Sequence, residues 1–496
     1  MNKLRQLLNK YKLLSVAAKA TIAYMLASLF TKGLGFITTP LFTKVIQLST
    51  AEMGEFSTFS TWYSIIGVLA TLSLSSGAFS LAMFEFPEER DKYSSSMLGL
   101  SSISTLIFVL VYIINPPFWN GVLALNTVEV TVMLAAFWLV PAMDYRITRL
   151  RFEYKYGKLI AISLTNAVGG IALSVIAVLL GRYLGADNLA PYRIVGLQAV
   201  HCIVGLVCMI YLICKGRTLV NLKYWKFALK TNTPLIVNAL SKHILEGFDK
   251  VMITSITGDM GNTGKYGTLY TISTVSLIVW SAIESSLLPY MFENLRNKTE
   301  DKIRAIVNPL LAIFAGVCFI LTLAAPEIVR ILVSEEYYEA IYIMPPVACG
   351  VFFSATYNIF GDILLYHKKT HWIMVSTITS AVANIILNYI FISQFGYMAA
   401  AYTTLASYII LTLMQYIFMR IVHKGRIFSE LYIVLLSTGL IGSSLACMLI
   451  YDYWWARYAI IAVIAVVAFI FRNKIIALFK KMKKKKEEPQ NEQKAQ

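Results

Sequence analysis

Long blocks of apolar residues fill this chain, and short polar segments separate them. A membrane-spanning helix requires about 20 mostly apolar residues, and fourteen blocks come within a few residues of that length. They are 17–42, 57–83, 95–114, 122–142, 158–180, 193–214, 232–255, 266–290, 304–325, 340–361, 371–393, 397–419, 430–450 and 454–472. Because irregular backbone cannot face lipid, the pattern predicts an all-α polytopic membrane protein with about fourteen transmembrane helices.

Basic residues are distributed unevenly among the polar segments. If the N-terminus lies inside the cell, the inner segments hold about 35 Lys and Arg residues and the outer segments hold about six. The outer six are Lys44, Arg182, Arg193, Lys265, Arg330 and Arg457. Since Lys and Arg concentrate on the cytoplasmic side of membranes, this distribution predicts that both termini are cytoplasmic.

The composition agrees with a membrane protein. The 496 residues are 57% hydrophobic and 14% charged, with a mean hydropathy of +0.65, whereas soluble domains contain about 25% charged residues. A net charge of +17 would suggest nucleic-acid binding in a soluble protein. Here the basic residues lie in short loops and at the two ends, so membrane orientation explains them and no nucleic-acid partner is expected.

Both ends of the chain are basic. The opening MNKLRQLLNKYKLL leads into an apolar block that continues to Phe42, which predicts a retained first span and not a cleaved signal peptide. The end, KKMKKKKEEPQNEQKAQ (480–496), is a polybasic run followed by polar residues. We expect this tail to be disordered and to lie on anionic lipids. A regulatory or partner-binding role for it stays open.

Residues with catalytic or metal-binding chemistry are scattered. The cysteines form no Cys-x-x-Cys motif and have no His at metal-ligand spacing, so no disulfide, metal site or other cofactor is expected. No acid, base and nucleophile stand in a recognisable order, so the chain is not expected to be an enzyme. The residues concerned are Cys202, Cys208, Cys214, Cys318, Cys349, Cys447, His201, His243, His367, His371 and His423.

The chain contains a weak internal repeat with an offset of about 210 residues. GEFSTFSTWYSI (54–65) aligns with GKYGTLYTISTV (264–275), LFTK (29–32) with ALSK (239–242), and LGADNLAPY (184–192) with FGYMAAAYT (395–403). Each copy holds six predicted spans, and an even number predicts two parallel lobes with a central site between them. This arrangement suits alternating access.

The repeat defines the predicted organisation of the chain. We expect an N-terminal six-helix lobe at 1–222 and a C-terminal six-helix lobe at 223–428. Two additional helices follow at 429–475, and a cytoplasmic polybasic tail follows at 476–496.

One predicted span is unusually rich in ionisable groups. In NALSKHILEGFDKVM (238–252), Asn238, Lys242, Glu246 and Asp249 follow an i, i+4, i+8, i+11 pattern, and Lys250 lies beside them. A polar stripe on an apolar helix is expected to face a cavity or the bundle interior. An alternative stays open, in which the i,i+4 pairs of this stretch merely neutralise one another.

Two further charges suggest a function for this stripe. Lys32 lies within the first predicted span, where the repeat aligns it with Lys242. An intramembrane Lys costs at least about 2.5–3.5 kcal/mol at a helix centre, so its presence in both copies suggests a shared cationic site. Glu284 stands alone in LIVWSAIESSLLPY (277–290), and it must find a partner on another span or take up a proton.

These residues define the predicted substrate site. Lys32, Lys242 and Lys250 are expected to bind an anionic head group such as a phosphate or pyrophosphate. Glu284, Glu246 and Asp249 are expected to couple transport to a cation or to balance charge.

The stretch 364–409 resembles the eleventh and twelfth spans of Wzx-type polysaccharide biosynthesis flippases, members of the multidrug/oligosaccharidyl-lipid/polysaccharide exporter superfamily. Asn384, Leu387 and Asn388 match the N-x-x-L-N pattern of that family, and 19–46 resembles its first span. Further matches are the basic turn Lys368–Lys369 and the G-x-x-G-A-A-x-A-T pattern at Gly396, Ala399, Ala400 and Thr403. Ser393 and Met398 depart from the usual Pro and Gly, which leaves the substrate subclass open.

The resemblance implies a flippase of the bacterial inner membrane. Its substrate would be an undecaprenyl-pyrophosphate-linked oligosaccharide, the repeat unit of lipopolysaccharide O-antigen, capsule or exopolysaccharide, moved from the inner to the outer leaflet. The resemblance also implies coupling to a cation gradient or the membrane potential. Polysaccharide polymerase and chain-length machinery are the expected partners.

Two alternatives to a flippase fit the sequence less well. A cation-coupled multidrug antiporter of the same superfamily would carry mainly acidic residues in its N-terminal cavity, and Lys32 argues against that. A lipid-processing enzyme would need a catalytic set that the sequence lacks.

Overall fold

The computed structural model describes residues 33–474 and 476–478, and this part of the chain is α-helical without a strand. Ten of its helices are long and apolar enough to cross a membrane, or eleven if one bent pair forms a single span. The predicted all-α polytopic membrane protein is therefore confirmed. The count of fourteen stays approximate, because the span predicted at 17–42 begins outside the described residues and the one at 57–83 is broken.

The chain forms two compact units, and the first ends at Gly264. After a π-helical turn at Leu41–Val45, this unit contains eight helices and the start of a ninth. They are α1 (Thr50–Ala70), α2 (Gly77–Glu85), α3 (Arg90–Ile114), α4 (Pro116–Leu123), α5 (Thr127–Phe152), α6 (Tyr156–Tyr183), α7 (Ala190–Gly216), α8 (Leu222–Thr257) and α9 (Met260–Ser273).

The second unit begins at Lys265, within α9. Its further helices are α10 (Ser276–Arg296), α11 (Glu300–Leu323), α12 (Ala325–Leu332), α13 (Met344–Tyr366), α14 (Thr370–Phe395), α15 (Ala399–Val422), α16 (Glu430–Cys447) and α17 (Trp454–Ile470). A 3-10 helix at Glu335–Ile343 precedes α13. The division into six-helix lobes at 1–222 and 223–428 stays a prediction.

Capping boxes fix the starts of two helices in the first unit. At α1, the Ser49 hydroxyl accepts from the Glu52 amide and the Glu52 carboxylate accepts from the Ser49 amide. At α5, Asn126 and Glu129 make the same reciprocal pair, with both distances 3.0 Å. Each box satisfies two backbone N–H groups that have no partner within the helix. The second box also holds the Glu129 side chain in place at the start of α5.

The span predicted at 57–83 is two helices, because α1 ends at Ala70 and α2 starts at Gly77. Leu72 and Ser73 between them have positive φ values of 52° and 45°, an unfavourable conformation for residues with a side chain. The buried Asn232 of α8 donates to both of their carbonyl oxygens, at 2.5 and 2.8 Å. Backbone that leaves the helix at membrane depth is tolerated where the protein supplies such partners.

The equivalent span of the second repeat copy is also interrupted. A turn at Thr274–Val275 separates α9 from α10, inside the block predicted at 266–290. The offset of 210 residues places this turn opposite residues 64–65, within α1, so the two breaks do not coincide in the repeat alignment. Both breaks were missed from the sequence, because the apolar residues continue across them.

Aromatic packing fixes the second half of α5. The Phe79 ring of α2 stacks on Tyr145 of α5, with ring centroids 5.0 Å apart and planes 4° from parallel. Tyr93 of α3 and Leu212 of α7 are buried in the same cluster. Burial of an aromatic side chain stabilises by about 1.5–3 kcal/mol, so this cluster holds the neighbouring residues of α5 in a defined orientation.

The last helix is attached to the second unit by a buried arginine. The Arg457 guanidinium of α17 donates to the Leu323 carbonyl oxygen at 3.1 Å and to the Glu327 carboxylate at 2.5 Å. Burial by itself would raise the pKa of Glu327, but the hydrogen bond and charge of Arg457, together with hydrogen bonds from the backbone and from Tyr458, outweigh it and hold the pKa below its ordinary value. Arg457 is thus a structural anchor as well as one of the predicted outer basic residues.

Two glycines that the repeat aligns touch one another within the first unit. A Cβ added at Gly54 of α1 would lie 1.9 Å from the Met260 carbonyl oxygen, and one added at Gly264 of α9 would lie 1.8 Å from the Thr50 carbonyl oxygen. Each glycine thus contacts the residue four positions before the other.

We predict that Gly54→Ala and Gly264→Ala each destabilise the protein, because a methyl group has no space between these helices. Overpacking of this kind costs about 1–3 kcal/mol, so the melting temperature of the detergent-purified protein should fall by several degrees.

Gly316→Ala in α11 is the matched control, since a Cβ there meets nothing within 4 Å and alanine favours the helix. Its melting temperature should equal or exceed that of the unmodified protein. Equal melting of the Gly54→Ala and Gly316→Ala variants would contradict the close approach of α1 and α9.

Candidate functional site

The charged stretch predicted at 238–252 is part of α8, a helix of 36 residues. Lys242 and Glu246 form an i,i+4 ion pair with a distance of 3.7 Å between Nζ and Oε1. Their side chains remain 52% and 37% exposed, so the pair is accessible. An exposed ion pair of this kind contributes about 0–1 kcal/mol, so this pair alone holds the Lys242 ammonium only weakly.

The other end of the stretch is buried. Asp249 has no exposed surface, and its Oδ1 accepts from the backbone N–H of Lys250 at 2.8 Å. Asp249 and Glu246 both act electrostatically on the Lys250 ammonium. The stripe thus contains an accessible part at Lys242–Glu246 and an enclosed part at Asp249–Lys250.

Lys32, the predicted counterpart of Lys242, lies outside the described residues. Its position opposite Lys242 therefore stays a prediction.

Glu284 has a second carboxyl group as an electrostatic neighbour. This group is Asp362 on α13, and Glu284 is on α10 of the same unit. Asp362 lies just beyond the span predicted at 340–361, so the sequence did not predict its electrostatic interaction with Glu284. Two carboxyl groups that influence one another can bind a proton or a metal cation more readily than either alone.

A buried cation in the first unit was also missed. Arg146 on α5 is 8% exposed, its guanidinium carbon lies 4.2 Å above the centre of the Tyr211 ring, and its buried Nη1 has no hydrogen-bond acceptor among the described residues. The span predicted from the sequence ends at 142 and leaves Arg146 in a loop, whereas α5 continues to Phe152. Arg146 thus offers a donor suited to an anion.

The motif residues of α14 and α15 form a buried polar ladder. Asn384 donates to the Thr404 hydroxyl at 3.4 Å, and Asn388 donates to the Asn384 side-chain oxygen at 3.0 Å. The Thr403 hydroxyl donates to the Asn388 side-chain oxygen. Hydrogen bonds of this type hold membrane helices together, so these residues have a structural role in joining α14 to α15.

Two histidines and a glutamate form a row of polar contacts at the predicted inner end of the second unit. His367 Nε2 lies 3.1 Å from His423 Nδ1, and His423 Nε2 lies 2.8 Å from a Glu300 carboxylate oxygen. Burial, and then the neighbouring His423, lower the pKa of His367. Within the described ranges, no three His, Cys, Asp or Glu residues are arranged to hold a metal ion.

Solved structures share this fold. The lipid II flippase MurJ, in an inward closed conformation, matches with a TM-score of 0.69 and 17% identity over 92% of this chain and 100% of its own. An inward-facing multidrug resistance transporter of the MATE family matches with a TM-score of 0.59 and 15% identity over 80% of this chain and 96% of its own. The chain therefore has the same fold as these two proteins.

Two sequence comparisons point to glycan biosynthesis. A probable low-salt glycan biosynthesis flippase of Haloferax volcanii is 22% identical over 410 residues, which cover 80% of this chain and 82% of the relative. The family described as polysaccharide biosynthesis protein matches residues 17–295, more than half of the chain. The resemblance inferred from the sequence motifs is confirmed, and the chain belongs to the polysaccharide biosynthesis protein family.

Proposed function

We propose that this protein is a flippase that moves an undecaprenyl-pyrophosphate-linked oligosaccharide from the inner to the outer leaflet of a bacterial inner membrane. The oligosaccharide would be a repeat unit of O-antigen, capsule or exopolysaccharide. Membership of the polysaccharide biosynthesis family carries the proposal. The flippase names of the Haloferax relative and of MurJ support transport of a lipid-linked glycan and not an enzymatic reaction.

The charges of the described helices support an anionic head group. Lys242 is accessible on α8, and Arg146 is buried on α5 with an unused N–H donor. A pyrophosphate offers several oxygens to such cations, and hydrogen bonds between charged groups are about twice as strong as neutral ones. An exposed ammonium on a membrane helix is costly in hydrocarbon, so Lys242 is expected to face a water-filled cavity.

The proposed transport cycle places the head group in this cavity while the polyprenyl tail stays in the bilayer. Binding of a pyrophosphate between Lys242 and Lys32 would relieve their repulsion and favour an occluded state, as alternating access requires. Glu284 and Asp362 are candidates to couple the cycle to a cation gradient or to the membrane potential. Both termini would be cytoplasmic, and polymerase and chain-length machinery would use the product.

We predict that Lys242→Ala and Lys32→Ala each weaken head-group binding by about 10- to 100-fold, the scale of a hydrogen bond to a charged group. The double substitution should cost less than the sum if both residues bind one ligand. Binding of undecaprenyl pyrophosphate to the purified protein and surface polysaccharide in cells lacking their own flippase are the measurements.

Lys230→Ala on the same helix is the control, because that exposed residue precedes the stripe. It should retain binding and surface polysaccharide. Rescue of Lys242→Ala by Glu246→Ala would mean that Lys242 serves only to neutralise Glu246. Full activity of the Lys32/Lys242 double variant would exclude the cationic head-group site.

We predict that Arg146→Met abolishes measurable head-group binding and that Arg146→Lys weakens it by about tenfold, since a lysine keeps the charge but loses the planar donor geometry. Gel filtration and the melting temperature show whether each variant is folded. Binding of Arg146→Met equal to that of the unmodified protein would remove Arg146 from the site.

We predict that Glu284→Gln and Asp362→Asn each reduce the dependence of flipping on an imposed proton or sodium gradient. The amide side chains are close in size to the acids but bind no cation in exchange for a proton. Flipping in reconstituted vesicles is the measurement, with Glu336→Gln at an exposed site as the control. Unchanged gradient dependence in both variants would exclude the coupling role.

A further inference from the structure

The two copies of the repeat differ in charge at one equivalent contact. The offset of 210 residues that aligns Gly54 with Gly264 also aligns Glu55 with Lys265 and Glu129 with Glu339. In the second unit, Lys265 Nζ lies 2.6 Å from Glu339 Oε1 in an ion pair. The Tyr397 hydroxyl donates to the same carboxylate oxygen at 3.2 Å. The second copy thus supplies its own cation for Glu339.

In the first unit, two carboxyl groups meet at the equivalent contact. Asn126 contacts both of them, because its backbone N–H donates to Glu129 Oε2 at 3.0 Å and its side-chain Nδ2 donates to Glu55 Oε1 at 3.5 Å. The two carboxyls therefore lie beside the same residue, where they also act electrostatically on one another. One oxygen of Glu129 accepts from the Asn126 amide, while the buried Oε1 meets no hydrogen-bond donor among the described residues. Asn188, in the loop before α7, donates to Glu55 at a distance of 2.7 Å. The repeat aligns this loop with the segment that contains Tyr397. Glu129 itself has no exposed surface.

Several neighbouring charged groups make other contacts. Glu52 accepts from the Leu189 amide and from Ser49, and the Arg182 guanidinium donates to the Ile46 carbonyl oxygen. The Arg193 guanidinium lies between the rings of Phe42 and Phe56, at 4.0 and 3.7 Å from their centres. Asp187 and Lys44 are exposed at the same end of the unit. Among the described residues, the charged side chain that acts electrostatically on Glu129 is that of Glu55.

We propose that a proton takes the place of the Lys265 ammonium in the first copy, so that Glu55 and Glu129 share one proton in a carboxylic acid–carboxylate hydrogen bond. Two ionised carboxylates in contact and out of water repel one another strongly. One shared proton removes the repulsion and supplies the donor that Glu129 Oε1 needs. The pair is thus a proton-binding site at the predicted outer end of the first copy, and it does not depend on the proposed substrate.

Exchange of this proton changes the contact between α1 and α5. Glu55 is partly exposed and connects the buried Glu129 to solvent. Loss of the proton to the medium leaves two carboxylates of like charge, which separates the starts of the two helices. Uptake of a proton restores the hydrogen bond. The pair titrates as a unit, because the proton belongs to both groups.

The direct test is the infrared carbonyl stretch of a protonated carboxylic acid in the full-length purified protein at neutral pH. Glu55→Gln and Glu129→Gln should each abolish the same band, because the two groups share a single proton. Glutamine at position 129 can still complete the capping box with Asn126. Glu339→Gln is the matched control and should leave this band unchanged, since the partner of Glu339 is Lys265.

A second variant keeps the proposal falsifiable if the amide variants fold poorly. Glu55→Lys recreates the ion pair of the second copy, so it should abolish the band and retain a melting temperature at least equal to that of the unmodified protein. In the unmodified protein, unfolding releases the shared proton, and the melting temperature should fall as the pH rises from about 5 to about 8. This decline should be absent in Glu55→Lys.

Two outcomes would overturn the proposal. The absence of a carboxylic-acid band that depends on both Glu55 and Glu129 would show that no proton is shared. Loss of the band on addition of sodium at constant pH, together with a rise in melting temperature, would show that the site holds a metal cation instead.

Discussion

Every polar group placed in hydrocarbon needs a partner inside the protein, and failure costs several kcal/mol. This constraint explains why the described chain is helical and where it departs from a helix. At the break between α1 and α2, Asn232 replaces the missing helical hydrogen bonds of Leu72 and Ser73. Between α14 and α15, Asn384 and Asn388 pair with threonines and with each other. These three asparagines thus have hydrogen-bond partners inside the protein.

The same constraint applies to a charge difference between the two copies of the predicted repeat. Gly54 and Gly264 each lie at a close backbone contact that leaves no space for a side chain. Glu55 and Lys265 have diverged at the next position of each copy. If the predicted repeat is correct, the same position of the two copies carries opposite charges, and the two contacts can differ in chemistry.

The length of the apolar blocks was sufficient to predict the fold class. A membrane requires each span to be a long helix, independently of how the helices pack. The capped helix starts at Ser49 and Asn126 also follow a local pattern. The helix breaks, the burial of Arg146 and the neighbour of Glu284 could not be predicted, because each depends on residues that are distant in sequence. Asp362 is 78 positions from Glu284 in sequence, and no local spacing links the two.

The hydrogen bonds from Asn232 to the break between α1 and α2 have a consequence for the synthesis of the chain. Asn232 follows Leu72 by 160 residues, so the broken helix leaves the ribosome long before its cap exists. Until α8 arrives, the Leu72 and Ser73 carbonyls need water or another protein as a partner. The second span is therefore expected to stay in a hydrated or chaperoned site of the insertion machinery and to enter the lipid only together with α8.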